Sequence, residues 1–328
     1  MAFFRKIIVS VVIVGIAGAG TFAYWSQQPI ISADPLVPFA ILPGSGAHAA
    51  GQQMANAGVP MQPLLFNLLT RLTFKSAKLK AGSYELKPGT TPLGLIGQLV
   101  RGDFAQDTLT IIEGWSFRQM RQAMAINPGL KHDTANLSDS ELMAKVAPEF
   151  THPEGLFFPD TYLFPKGSSD LQIYKQAYGE MMSHLTVAWN KRDPALPYKT
   201  PYEALTMASI VEKETGQKSE RGMIAAVFVN RLRLGMLLQT DPTVIYGMGS
   251  KYDGKIRKKD LETDTPYNTY TRAGLPPTPI ALPGKQSLAA ALAPDKTSAL
   301  YFVSRGNGTS QFSENLIDHN RAVNQYQR

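Results

Sequence analysis

Cysteine is absent from the 328 residues, which excludes disulfides and thiolate metal sites and is compatible with an oxidising compartment. Histidine is scarce. His48, His132, His152, His184 and His319 are scattered without metal-ligand spacing, so no metal site is expected. There is no G-x-S-x-G, no P-loop and no dinucleotide fingerprint. A serine nucleophile therefore has no support, and no cofactor is expected. Acidic residues are outnumbered: 33 Lys and Arg stand against 26 Asp and Glu, a net charge of +7. Such an excess suits a nucleic acid, an anionic membrane surface or a carboxylate-rich polymer. No nucleic-acid motif accompanies it, so nucleic acid is set aside as a partner.

Charge is also missing from Ile7 to Trp25, a run long enough to span a bilayer as a helix, for which about 20 residues are needed. Arg5 and Lys6 precede it, which predicts an N-terminus inside and the bulk of the chain outside. Tyr24 and Trp25 suit the far interface. A cleaved signal peptide with Ala17-Gly18-Ala19 at its cleavage site is the competing reading. The apolar run continues past that site, which favours a retained anchor.

Residues 26–37 read as a polar, proline-punctuated linker. A loose repeat follows: Phe39-Ala40-Ile41-Leu42-Pro43-Gly44-Ser45, then Tyr84-Glu85-Leu86-Lys87-Pro88-Gly89-Thr90, then Leu109 to Ser116 around Glu113-Gly114. Each copy is a strand, a turn and a cap, followed by helical patterns over 47–57, 93–101 and 117–126. Such units resemble LysM-like modules, which bind glycans; plain α+β packing with Pro-Gly turns gives the same pattern. Further helices are expected over 64–72, over 138–146 behind an S-x-x-E box, and over 172–190. The segment Glu154 to Tyr162 is dense in aromatics, which either stack on sugars or fill a core.

The most informative stretch runs from Thr200 to Gly249. Thr200, Pro201 and Glu203 form a strong helix start. No charge interrupts Ala204 to Val211, so the helix is expected to be buried on most sides. It ends in Glu212, Lys213 and Glu214, with a stop at Thr215-Gly216. Two residues along a helix is about 200° of rotation, so the two glutamates face opposite ways. A carboxylate at the C-terminal end of a buried helix meets partial negative charge and apolar surroundings, and both raise its pKa. A solvated helix end would carry the same residues. A second helix, capped by Ser219 and ended by Gly235, completes a helical hairpin. Leu237 to Thr240 reads as a short strand. Leu300 to Val303 and Thr309 to Phe312 read as paired strands around Gly306-Asn307-Gly308.

ASIVEKET, SER, VFVNRLRLGMLLQTDPTVIYGMG, ETDTPYNTYTRAGLPPTPIALPG and LYFV together resemble the endolytic murein transglycosylase (YceG-like) family. The likeness covers most of the chain beyond the N-terminal segment. It implies an α+β fold with an N-terminal transmembrane helix, a LysM-like α/β subdomain and a mixed α+β catalytic domain built around the helical hairpin. The implied organisation is a cytoplasmic N-terminus (1–6), a transmembrane helix (7–25), a linker (26–37), a LysM-like region (38–125) and a YceG-like catalytic domain (126–328).

The resemblance places the catalytic acid/base on Glu214 and leaves Glu212 structural. Around it, Gln239, Thr240, Tyr246, Tyr267, Asn268, Thr269 and Tyr270 are candidates to line a sugar groove, because rings stack on sugars and amides bond hydroxyls. The implied reaction is non-hydrolytic cleavage of the MurNAc–GlcNAc bond in peptidoglycan, leaving 1,6-anhydroMurNAc ends. The implied partners are glycan strands, the inner membrane and the peptidoglycan synthases within it, in a role that terminates nascent strands. Two rival readings stay open on residues alone. A hydrolase would need a second carboxylate, for which Glu220, Asp241, Asp160 and Glu262 are available. A non-enzymatic glycan-binding scaffold would leave Glu214 incidental.

Overall fold

The computed structural model describes residues 2–214 and 217–327, so the helix stop expected at Thr215-Gly216 lies outside the described residues. The fold is mixed α+β and rich in helix. Helix α1 (Ala2–Ser26) opens the chain, and its stretch Phe4–Ser26, of mean hydropathy 2.2, is long and apolar enough to cross a membrane. By its contacts the chain divides into two compact units. One comprises Met1–Asp107 with Leu163–Ser168, the other Thr108–Tyr162 with Ser169–Arg328.

In the first unit, strands β1 (Val37–Ile41) and β2 (Gly82–Leu86) pair antiparallel with Phe39 opposite Tyr84. Helices α2 (Ala47–Asn56) and α3 (Pro63–Leu72) connect them, and α4 (Pro92–Arg101) follows. Alternation along β1 turns Val37, Phe39 and Ile41 inward, where they meet Met54, Phe66, Leu95 and Leu99. Burying each such side chain contributes about 1.5–3 kcal/mol. Phe22 and Trp25, in the last turn of α1, pack against the same core. So does Ile30, whose N–H donates to the Thr90 carbonyl at 2.8 Å. The repeat read from sequence has one structural signature: Gly44, Gly89 and Gly114 all take φ 79°. A turn with positive φ at its third residue demands glycine there.

Strand β3 (Gln106–Thr110) leads into the second unit. Its elements are α5 (Phe117–Ile126), β4 (Leu130–Lys131), α6 (Asp139–Val146), β5 (Thr161–Pro165), β6 (Ser168–Ser169) and α7 (Asp170–Asn190), although β5 and β6 pass through the residues assigned to the first unit. Ser116 and Ser138 close capping boxes with Gln119 and Glu141 at the starts of α5 and α6. The aromatic segment after Glu154 is core: Phe157 is fully buried, 5.4 Å from the Phe117 ring and 5.6 Å from the Tyr174 ring.

Within the second unit α8 (Pro201–Glu214) is buried from Ala204 to Val211 and packed by α7, α9 (Arg221–Arg233) and α12 (Lys285–Leu292). Ser219 does not cap α9 but sits inside a tight turn, Lys218–Glu220, from which α9 starts at Arg221. The expected strand over Leu237 to Thr240 is an extended loop, because Gln239 turns to φ 52° and breaks any ladder. Helices α10 (Asp241–Met248) and α11 (Lys258–Glu262) follow. The C-terminal hairpin pairs β7 (Tyr301–Ser304) with β8 (Ser310–Ser313), and α13 (Leu316–Tyr326) packs on it.

Candidate active site

The site is set by how α8 is held at both ends. At its start Thr200 accepts from the Glu203 N–H at 3.2 Å, and Glu203 reaches back to the Lys199 N–H at 2.5 Å. Pro201 occupies the first turn, where its missing N–H costs nothing. At its end the two glutamates part. Glu212 takes Arg221 at 2.9 Å on one oxygen and the Gly284 N–H at 2.9 Å on the other. Glu212 and Arg221 side chains are 5% and 7% exposed, so this carboxylate is fully committed inside the protein. Lys213 lies between, its ammonium 3.3 Å from the Gly114 carbonyl.

Glu214 points the other way, into an open cavity of about 500 Å³ whose wall includes Arg231, Leu238, Gln239, Asp241, Tyr270, Tyr301 and His319. Thr240 donates its hydroxyl hydrogen to Glu214. Burial pushes the Glu214 carboxyl above its ordinary value, and the neighbouring Asp241 charge adds to this. The Thr240 hydrogen bond and Arg231 act in the opposite sense without reversing it. Arg231 is itself 8% exposed and pinned by the carbonyls of Leu300 at 2.7 Å and Leu238 at 2.8 Å. Across the cavity the His319 ring stacks on Tyr301 at 5.1 Å, and burial with Arg231 lowers its pKa, which favours the neutral imidazole.

The candidate groove residues fall into four places. Gln239 and Tyr270 line the cavity, and Tyr270 donates to Asp241 at 2.5 Å. Gln239 holds a left-handed backbone that only surrounding structure can impose on a non-glycine residue. Thr240 and Thr269 form the buried layer beneath: Thr269 accepts from the Thr240 N–H at 3.1 Å and pairs with the Thr243 hydroxyl at 2.9 Å. Asn268 is 1% exposed, with its amide N–H groups on the carbonyls of Asp260, Leu261 and Thr263. Tyr246 and Tyr267 meet each other at 4.9 Å, away from that cavity wall. There Tyr246 donates to Glu154 at 3.1 Å, and the Tyr267 and Thr278 hydroxyls pair at 2.9 Å. Glu154 is 6% exposed, also accepts the Phe117 N–H at 2.8 Å, and is raised by burial to about 7.

Sequence reasoning missed Arg231, Tyr301 and His319 as cavity walls. Arg231 left a trace, since it stands on the face of Val227 and Phe228, where a buried helix has no use for an unexplained charge. Tyr301 lies within the LYFV strand, where its alternation reads only as strand pairing, and His319 belongs to no motif. Among the described residues no cluster could hold a metal ion.

The arrangement — one carboxyl whose hold on its proton is strengthened by burial, at the wall of an open polar cleft — can deliver a proton to a bound ligand. The YceG-like family model matches residues 39–325. The chain belongs to the YceG-like family. Within it, the chain is 37% identical over 265 residues to the endolytic murein transglycosylase of Bacillus subtilis (strain 168), spanning 75% of this chain and 73% of that protein. It is 27% identical over 315 residues to the endolytic murein transglycosylase of Streptococcus pneumoniae (strain R6), spanning 85% of this chain but 56% of that longer protein. A crystal structure of a YceG-like protein from Listeria monocytogenes superposes with a TM-score of 0.54 at 30% identity, covering 87% of this chain and 98% of that one.

Proposed function

We propose that this YceG-like protein is an endolytic murein transglycosylase that cleaves the MurNAc–GlcNAc bond of peptidoglycan without water, with Glu214 as its acid and base. The observation that carries the reading is the Glu214 carboxyl itself: raised by burial, held by Thr240 and opening on the cleft. The protonated carboxyl gives its proton to the bridging oxygen, and the C1–O electron pair leaves with that oxygen. The ionised carboxylate then takes the proton from the muramyl C6 hydroxyl as its oxygen bonds to C1, closing a 1,6-anhydro ring. One group serves both half-steps because it holds the proton before the bond breaks and lacks it afterwards, and burial raises its pKa above that of a free carboxyl.

Glu214→Gln keeps the shape and removes the acid. Purified murein treated with the wild-type chain should yield internal cuts whose ends are one water lighter than reducing ends, and the variant should yield none. Reducing ends would replace this reading with hydrolysis. Unchanged digestion by the variant would move the chemistry to another group or leave Glu214 incidental.

The strand–helix–helix–strand arrangement of β1, α2, α3 and β2 supports a LysM-like, glycan-holding role for the 38–125 region, with catalysis in 126–328. Helix α1 would place the chain in the inner membrane as a single span over 7–25, with 1–6 cytoplasmic and the remainder, beginning with the 26–37 segment, periplasmic. There it would meet nascent strands beside the synthases that make them. Deleting residues 1–25 should lengthen cellular glycan strands toward those of a strain without the protein; strands of wild-type length would remove the tether from the account.

A further inference from the structure

The four second-carboxylate candidates have separate fates. Glu220 accepts the Ser310 N–H at 2.8 Å, Asp160 the Thr161 N–H at 2.7 Å, and Glu262 lies on the surface 3.7 Å from Lys258. Asp241 alone of the four lines the cavity that holds Glu214. It follows Thr240 directly, so the residue that donates to Glu214 and the residue that carries the second charge are neighbours in the chain. Tyr270, also on the cavity wall, donates to its Oδ1 at 2.5 Å. Asp241 opens α10, where the unpaired N–H groups of the first turn favour a negative charge.

We infer that Asp241 is a second catalytic residue of the cleft: a fixed negative charge facing the sugar ring whose C1–O bond breaks, and neither a nucleophile nor a base. The inference rests on the function proposed above. As the glycosidic bond opens, positive charge develops across C1 and the ring oxygen. Glu214 begins the step neutral and cannot offset that charge until its proton has gone. A carboxylate already in place, oriented by a phenol and a helix terminus, can do so without rearranging. The same hydrogen bond and helix terminus draw on its lone pairs, which makes it a poor nucleophile. The bond changes balance without it: the Glu214 proton goes to the leaving oxygen, the C6 oxygen bonds to C1, and the C6 hydroxyl proton returns to Glu214.

The charge has a second effect, since it opposes ionisation of Glu214. The groups that face Glu214 from the surrounding elements are Thr240 and Asp241 at the start of α10, Arg231 on α9, and Tyr270. Burial is the main force against ionisation; Thr240 and Arg231 favour the ionised form, and Asp241 adds to burial in opposing it.

The test compares the full chain in detergent with Asp241→Asn, Asp241→Glu and Tyr270→Phe, using purified murein. Three readouts are taken: kcat and KM, product mass, and the titration of the Glu214 carboxyl by NMR with labelled glutamate. For Asp241→Asn, kcat should fall roughly 100- to 1,000-fold, with KM within about twofold. Residual product should keep the mass of anhydro ends, and the Glu214 titration should move to lower pH. Asp241→Glu should recover part of the rate, and Tyr270→Phe, which keeps the charge but frees it, should lose less. An unchanged kcat for Asp241→Asn would overturn the inference. So would a covalent sugar adduct on Asp241 in the wild type, or a loss carried wholly by KM. If the wild type does not cut murein, the functional reading fails by itself. The titration then still decides the pairing, because an unmoved Glu214 curve in Asp241→Asn removes it.

Discussion

Arg221 lies 2.9 Å from Glu212 across the first turn of α9 and the last turn of α8, and both side chains are almost wholly buried. Arg221 also holds Gln286 at 2.9 Å, while Glu212 holds the backbone at Gly284. The end of the helix that presents Glu214 is therefore clamped from two sides. Arg221→Met leaves a buried carboxylate without its cation, for which a loss of about 3–5 kcal/mol is expected. Denaturant unfolding should show it as a lower midpoint. Adding Glu212→Gln to the same chain should return part of the loss, because the uncompensated charge is gone.

Thr240→Val removes the hydroxyl that donates to Glu214 and leaves α10 its start, since the Thr240 side chain makes no cap bond there. A hydrogen bond to an ionised carboxylate is worth about 1.5–3 kcal/mol. Its loss disfavours the ionised form, so Glu214 should hold its proton to higher pH. The alkaline limb of kcat/KM should move up, and the rate should fall roughly 10- to 100-fold. Asp241→Asn should shift that limb down, so the two variants bracket the wild type.

Glu154 makes stability depend on pH. Its folded pKa of about 7 exceeds its ordinary 4.5, so between those values the folded chain keeps a proton that the unfolded chain has lost. Stability from this group is complete below pH 4.5 and declines as pH rises to 7, by roughly 3 kcal/mol in all. Glu154→Gln keeps a carbonyl for the Phe117 N–H and carries no charge. Unfolding measured at steps from pH 5 to pH 8 should show a shallower slope in the variant, which should exceed the wild type at the alkaline end.

Gly155 stands beside Glu154 with φ 80°, and a Cβ there would lie 2.3 Å from the Pro279 ring. Gly155→Ala combines a strained backbone, worth about 1–3 kcal/mol, with a collision against an atom that cannot swing away. Thermal unfolding should fall by several degrees. Gly179→Ala, inside α7 with nothing within 4 Å of the new carbon, is the contrasting case. It should raise stability by about 0.5–1 kcal/mol.

Periodicity made the helices legible. The α8 start, its uncharged run and the opposed glutamates follow from spacing, and so does the recurrent turn at Gly44, Gly89 and Gly114. What stayed hidden depends on distant chain. Nothing local tells that Tyr246 meets a carboxylate 92 residues upstream, while Tyr270, on a similar stretch, reaches the cleft. Asn268 looks like a sugar-binding amide in sequence, yet its N–H groups close three carbonyls of the 260–263 turn. An amide that holds backbone and an amide that holds a ligand are the same residue until burial is known. The strand expected at Leu237 failed for a local reason, the left-handed Gln239, which no propensity anticipates.

Helix α1 does not end where the first folded core begins, because Phe22 and Trp25 belong to both. A detergent-free fragment cut at residue 27 would leave that core without the two aromatic rings that α1 packs against it. Such a preparation should aggregate more readily than one starting near Thr21, which keeps the last turn while shedding most of the hydrophobic length.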